Sequence, residues 1–127
     1  METDSHFKNA LEVIDIEIAA ITEIKGNLGA EISHVVDLLV EKVPPGKLVV
    51  MGMGKSGHIG KKIAASFAST GTPSFFVHPA EAGHGDLGMI GNKDVVLAIS
   101  QSGRSDEFNT IISYIKRNGI CLLTMTA

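Results

Sequence analysis

The sequence predicts an α/β fold: a doubly wound parallel sheet preceded by two helices. Three observations support this prediction. Two amphipathic stretches come first, four short apolar runs follow, and helical stretches or glycine-rich turns separate the runs. Short, unbroken apolar runs are typical of strands that are covered on both faces of a parallel sheet.

The helical lead-in is predicted over residues 4–43. Between Phe7 and Ile24, apolar residues recur every three or four positions with acidic residues between them, which is the pattern of an amphipathic helix. A second stripe of the same spacing runs from Leu28 to Leu39. Pro44 and Pro45 follow it, and we expect them to end the helix because proline cannot continue an α-helical hydrogen-bond ladder.

The α/β part is predicted over residues 47–127. We expect strands near residues 47–51, 74–78, 94–100 and 120–125, helices over 59–69 and 107–117, and an irregular segment over 79–93. Right-handed crossovers between parallel strands place ligands outside the carboxyl ends of the strands. Because the chain stops two residues after the fourth strand, we expect an incomplete sheet with one bare face.

Composition narrows the class of protein. The chain has 127 residues and a formal net charge of -3, which favours one globular domain and indicates neither a nucleic-acid nor a membrane partner. Cys121 is the single cysteine and lies in an apolar run, so we expect a buried thiol and a reducing compartment. The acidic N-terminus resembles no signal peptide, which favours the cytoplasm.

The glycine turn, Gly52–Gly57, follows the first predicted strand and is open to three interpretations. A Walker A loop would need glycine at Val49, so we exclude it. The glycines match the dinucleotide fingerprint formally, but the expected acid after the second strand is absent until Glu81. The third interpretation is a turn that presents Lys55 and Ser56 to a small polyhydroxylated ligand.

The serine loop, residues 100–106, leaves the third predicted strand for a helix in the same way. Ser100, Ser102 and Ser105 surround Gly103 there. Hydroxyls and backbone N–H groups at a helix N-terminus can hold a phosphate without a cationic surface. Alternatively, Ser102 or Ser105 caps its own helix, and one serine can cap while others bind.

Between the second and third strands, residues 78–88 are rich in titratable groups. His84 lies between glycines and near two carboxylates, so we expect it to exchange protons. Glu107 is either a first-turn helix acid or a site carboxylate facing Lys55. We expect no metal, because the histidines and acids of residues 78–88 lack a familiar ligand spacing.

Taken together, these segments resemble the sugar isomerase (SIS) domain of bacterial D-arabinose-5-phosphate isomerases. The resemblance rests on residues 52–60, 68–79, 81–89 and 99–103, and it is only general in the leading helices. It implies a flavodoxin-like sheet and a cytoplasmic, Gram-negative enzyme that needs no cofactor. It also implies a homotetramer that interconverts D-ribulose 5-phosphate and D-arabinose 5-phosphate for synthesis of the lipopolysaccharide sugar Kdo.

Residue by residue, the resemblance implies an active site of Lys55, His84 and Glu107. It implies substrate binding by Gly54, Ser56, Ser100, Ser102 and Ser105. The aldose-ketose shift passes through an enediol and needs a base for the proton and a group that stabilises charge on the carbonyl oxygen. We assign His84 to the proton, Lys55 to the oxyanion or to substrate orientation, and Glu107 to tuning or positioning both.

The chain also departs from the family pattern. Relatives continue through a further glutamate, a further histidine and often a pair of CBS domains. Arg104 stands where we expect an acidic or small residue, and its charge could tighten phosphate binding. The alternative hypothesis is a phosphosugar-binding SIS module without catalysis, and an NAD-dependent oxidoreductase is the third.

Overall fold

A computed structural model describes residues 2–104 and 106–127 of the chain. Its elements are, in order, α1 (Glu2–Asn27), α2 (Glu31–Lys42), β1 (Leu48–Gly52), α3 (Gly54–Ser69), β2 (Ser74–Val77), α4 (Pro79–Ala82), a 3-10 helix (Asp86–Met89), β3 (Val95–Ile99), α5 (Glu107–Arg117) and β4 (Cys121–Met125). The two leading helices, the four strands and the helix over 107–117 confirm the sequence prediction. None of the described helices combines the length and hydropathy needed to cross a bilayer.

The four strands form one parallel sheet in the order β2-β1-β3-β4. This is the doubly wound arrangement that the sequence predicts. Chain connections run outward in opposite directions from β1 and β3, so the strand order reverses between these two strands. Ligands of doubly wound folds bind in the crevice at such a reversal, outside the carboxyl ends of the strands.

Helices cover the two faces of the sheet from opposite sides. On one face, α5 buries Phe108, Ile111 and Ile115 against residues of β1 and β3. On the other face, α3 and the end of α2 pack over Val50 and Val95. All five residues of β1 are buried, whereas those of β4 are half-buried or exposed. The edge at β4 is therefore the less covered side of the sheet, whereas the expectation of one bare face is wrong, because helices pack on both faces.

Close contact between β1 and α3 explains two glycines of the glycine turn. A Cβ on Gly52 would lie 2.8 Å from the backbone of Ser56, and one on Gly57 would lie 2.7 Å from the Gly52 carbonyl oxygen. Any larger residue would push the helix away from the strand. These glycines serve helix–strand packing, which brings the first turn of α3 to the end of β1.

Three local expectations were wrong. Helix α3 begins at Gly54 and not at residue 59, because the close glycine packing lets the helix start directly at the strand end. Residues 79–93 are not simply irregular, since they contain α4 and the 3-10 helix. Cys121 is half-buried and not buried, because β4 is the less covered strand.

Asp94 lies at the amino edge of the sheet, where the strands begin, and is only 4% exposed. Its carboxylate accepts hydrogen bonds from the Lys47 backbone N–H at 3.1 Å, from Lys47 Nζ at 2.9 Å and from the Gly91 N–H at 2.7 Å. A buried carboxylate is stable only when its oxygens are paired in this way. Asp94 therefore ties the starts of β1 and β3 together.

Two compact units divide the chain, Met1–His34 and Val35–Ala127. The first contains α1 and the start of α2, and the second contains the rest of α2 and the whole sheet. Every residue of the site described below belongs to the second unit. The assignment of one domain to the whole chain stays a prediction.

Candidate functional site

A cleft of about 340 Å³ opens where the strand order reverses, at the carboxyl ends of β1 and β3. It is lined by Met53, Lys55, Ser56, Ile99, Ser100, Gln101 and Ser102. One wall is the glycine turn after β1, and the other wall is the serine loop after β3. Both segments that the sequence indicates as ligand-binding therefore meet in a single cleft.

The glycine turn delivers Lys55 and Ser56 on the first turn of α3. Gly54 has a φ of 54°, a left-handed conformation that glycine adopts without strain, and Met53 before it is extended. Met53 is the N-cap residue of α3, and its side chain makes no capping hydrogen bond with the described residues. The first N–H groups of an α-helix have no acceptor within the helix, so this end of α3 is electropositive toward the cleft.

The serine loop is folded by its own hydroxyl groups. Ser100 Oγ accepts from the Gly103 N–H at 3.2 Å, and Ser102 Oγ accepts from the Arg104 N–H at 3.2 Å. The N-cap position of α5 is Asp106, so the interpretation of Ser102 as a helix cap is wrong. A hydroxyl that accepts a hydrogen bond, as that of Ser102 does, can also donate its proton to a ligand oxygen. Ser105 lies outside the described residues.

His84 and Glu107 do not line this cleft among the residues that the structure describes. His84 is exposed in the turn between α4 and the 3-10 helix, and Glu107 is the exposed first residue of α5. Their two segments are neighbours, because α4 packs against α5 and the Tyr114 hydroxyl of α5 donates to the Ile90 carbonyl at 3.1 Å. The catalytic roles of Lys55, His84 and Glu107 stay predictions.

His78 has a local structural role. It is the N-cap residue of α4, and its Nδ1 accepts from the Ala80 N–H at 3.2 Å. The function of His78 at the end of β2 is therefore to begin the short helix that leads toward His84.

Within the described residues, no group of three or more histidine, cysteine or acidic side chains is arranged to hold a metal ion.

Three lining residues were missed by sequence reasoning: Met53, Ile99 and Gln101. Gln101 stands between two of the predicted serines, so the one available signal was its position in the loop. Its amide can both donate and accept hydrogen bonds, as sugar hydroxyls require. Met53 and Ile99 give the cleft an apolar part.

Arg104 lies on the other side of the serine loop. It lines a separate groove of about 320 Å³ between α5 and β4, together with Asp106 and Thr126. Arg104 is not among the described residues that line the cleft. Ser100 lines this groove as well as the cleft, and the expectation that Arg104 tightens phosphate binding stays a prediction.

Comparison with known proteins places this architecture in a family. The sequence model of the SIS domain matches residues 43–127. An arabinose 5-phosphate isomerase KdsD of Pseudomonas aeruginosa is 52% identical over 118 residues, covering 93% of this chain and 36% of that protein. The KdsD of Francisella tularensis is 45% identical over 124 residues, covering 97% of this chain and 38% of that protein. The chain thus spans between 36% and 38% of the length of these curated relatives.

Solved structures agree with this match. A protein of Escherichia coli CFT073 in complex with arabinose 5-phosphate superposes with a TM-score of 0.84 at 41% identity, over 94% of this chain and 64% of that one. The phosphoheptose isomerase GmhA of Neisseria gonorrhoeae, at 17% identity, shares the fold with a TM-score of 0.74 over 94% of this chain and 73% of that one. The chain belongs to the SIS domain family.

Proposed function

We propose that this chain is the sugar-phosphate-binding part of a D-arabinose 5-phosphate isomerase and that its ligand occupies the cleft between the glycine turn and the serine loop. The observation that carries the proposal is the composition of the cleft wall. One ammonium group and three hydroxyl groups meet there, at the point where the strand order reverses. The arabinose 5-phosphate complex of a relative at 41% identity supports the same ligand.

The serine loop is the phosphate end of the proposed site. Ser100, Ser102 and Ser105 would contact the phosphate oxygens through hydroxyl or backbone groups, and the electropositive start of α3 would add a favourable field. An anion held in this way needs no basic surface, which fits the net charge of -3. Gly54 would allow the ligand to approach the backbone.

The glycine turn is the sugar end of the proposed site. Ser56 and Gln101 would bind sugar hydroxyls, and the Lys55 ammonium would stabilise the oxygen that gains charge. In the aldose-to-ketose direction, a base removes the proton from C2, the carbonyl oxygen at C1 takes up a proton, and an enediol forms. Returning a proton to C1 while the C2 hydroxyl loses its own gives the ketose. His84 would carry the carbon-bound proton, and Glu107 would position or tune these groups.

Turnover tests this proposal directly. Incubating the chain with D-arabinose 5-phosphate should produce D-ribulose 5-phosphate, and a His84→Ala variant should lose most of that rate while retaining affinity for the sugar phosphate. NAD is the control ligand and should leave the melting temperature unchanged. A folded chain that neither binds nor converts D-arabinose 5-phosphate would contradict the proposal.

A phosphosugar-binding module without catalysis is the second candidate. The observation that favours it is that the described lining of the cleft includes neither His84 nor Glu107. This candidate predicts that millimolar D-arabinose 5-phosphate raises the melting temperature although no ketose appears. Turnover by the chain would exclude it.

The same proposal has consequences for the assembly, location and pathway of the protein. We expect a cofactor-independent homotetramer that acts in the cytoplasm and feeds the synthesis of Kdo. Sedimentation equilibrium tests the assembly: a mass of four chains agrees with it, and a monomer over the whole concentration range contradicts it.

A further inference from the structure

The first two residues of the serine loop are paired with residues 125–127, which are the last residue of β4 and the two residues after it. The Ser100 N–H donates to the Met125 carbonyl at 3.0 Å, and the Ala127 N–H donates to the Gln101 carbonyl at 3.2 Å. These bonds continue the parallel register that ends with Ile99 opposite Met125. The β3–β4 ladder therefore extends into the serine loop itself.

The loop turns back directly after these paired residues. Gly103 has a φ of 63°, and its N–H donates to the Ser100 carbonyl at 3.3 Å as well as to Ser100 Oγ. The Thr126 methyl group lies 3.5 Å from the position that a Cβ on Gly103 would occupy. The end of β4 and the residues after it thus hold the loop by two backbone bonds, one at Met125 and one at Ala127, and the Thr126 methyl group lies near its turn.

We propose that residues 125–127 are positioning residues for the cleft: they fix the wall formed by Ser100 and Gln101. The inference rests on the proposed function, because it concerns how the same site holds its ligand. Ser100 and Gln101 are both paired with this segment and both line the cleft. A shift of the segment would move these two side chains relative to Lys55, although residues 125–127 do not line the cleft themselves.

The test compares Ala127→Pro with Ala127→Ser. Proline removes the N–H that donates to Gln101, whereas serine keeps it, and the position lies after the last strand, so both variants should fold. Loss of one such bond corresponds to about 3- to 10-fold in an equilibrium constant. We expect Ala127→Pro to bind D-arabinose 5-phosphate about 3- to 10-fold more weakly than Ala127→Ser, at an unchanged melting temperature.

Amide hydrogen exchange gives a readout that needs no ligand. In Ala127→Pro, the amides of Gly103 and Arg104 should exchange faster than in Ala127→Ser, while those of β1 should not change. Equal exchange and equal affinity in the two variants would overturn the inference. So would a loss of affinity that follows a general loss of stability, since that indicates support of the sheet and not of the loop. Absence of binding by the unaltered chain contradicts the proposed function. The exchange comparison then still shows whether residues 125–127 hold the serine loop in place.

Discussion

Polar groups are buried and paired at the amino edge of the parallel sheet, whereas they are exposed at its carboxyl edge. At the amino edge, the Asp94 carboxylate is 4% exposed and accepts three hydrogen bonds from Lys47 and Gly91. At the carboxyl edge, Lys55 and Ser102 are exposed around an open cleft. Fold stability and ligand binding therefore depend on different polar groups, and substitutions at the two edges should change one property without the other.

Removing the amino-edge carboxylate should have the largest effect on stability. Asp94→Ala leaves three donors without their acceptor, and we expect the free energy of unfolding to fall by about 3 kcal/mol. Urea unfolding measures it. Asp94→Asn, which keeps one acceptor oxygen, should lose less. If stability and ligand binding depend on different edges of the sheet, Asp94→Asn should bind D-arabinose 5-phosphate as tightly as the unaltered chain does. A loss of affinity as large as the loss of stability would contradict this.

A glycine of the glycine turn should affect both stability and binding. In Gly57→Ala, the new Cβ would lie 2.7 Å from the Gly52 carbonyl oxygen, so α3 must move away from β1. We expect a loss of about 2 kcal/mol, typical of overpacking, together with weaker ligand binding. Gly88→Ala is the control, because a Cβ there meets nothing within 4 Å. Thermal melts with and without ligand measure both effects, and equal behaviour of the two variants would contradict the packing account.

The cleft ammonium should affect binding alone. Lys55→Met is expected to weaken D-arabinose 5-phosphate binding roughly tenfold, the scale of one charge-assisted hydrogen bond, at unchanged stability. Lys62→Met is its control: Lys62 is exposed on the same helix and donates to Ser66 Oγ at 3.1 Å. Calorimetric titration measures the affinities. Equal affinity of the two variants would remove Lys55 from the site.

The smallest effect is expected at the start of β2. Ser74 Oγ is buried, and the described residues offer it no hydrogen-bond partner. Ser74→Ala should therefore leave the unfolding free energy within about 0.5 kcal/mol or raise it slightly, since no bond is lost. Urea unfolding would contradict this with a loss above about 1 kcal/mol, which would indicate a partner for the hydroxyl.

The sheet could be predicted from the sequence because its strands are short apolar runs and the strand-to-helix order limits the topology. The start of α3 could not, because glycine is a poor helix former and the close packing of Gly57 against Gly52, which allows the helix to begin at Gly54, is a contact between two elements. Local pattern identifies an element, whereas packing between elements sets its end.

The site was predictable where topology alone brings residues together. Lys55 and Ser100 each follow a strand, and parallel strands place their carboxyl ends at one edge. Whether His84 lines the cleft depends on the course of the segment between β2 and β3, and whether Glu107 does depends on the course of the serine loop; residue types determine neither. Gln101 was missed because an amide in a loop carries no distinctive signal.

A titration with D-arabinose 5-phosphate, followed by backbone amide chemical shifts, tests whether the cleft between the glycine turn and the serine loop holds the sugar phosphate. Binding in the cleft predicts saturable shifts at residues 52–57 and 100–104 and none around Asp94. Saturable shifts centred on the amino edge, or no shifts at millimolar ligand, would contradict it.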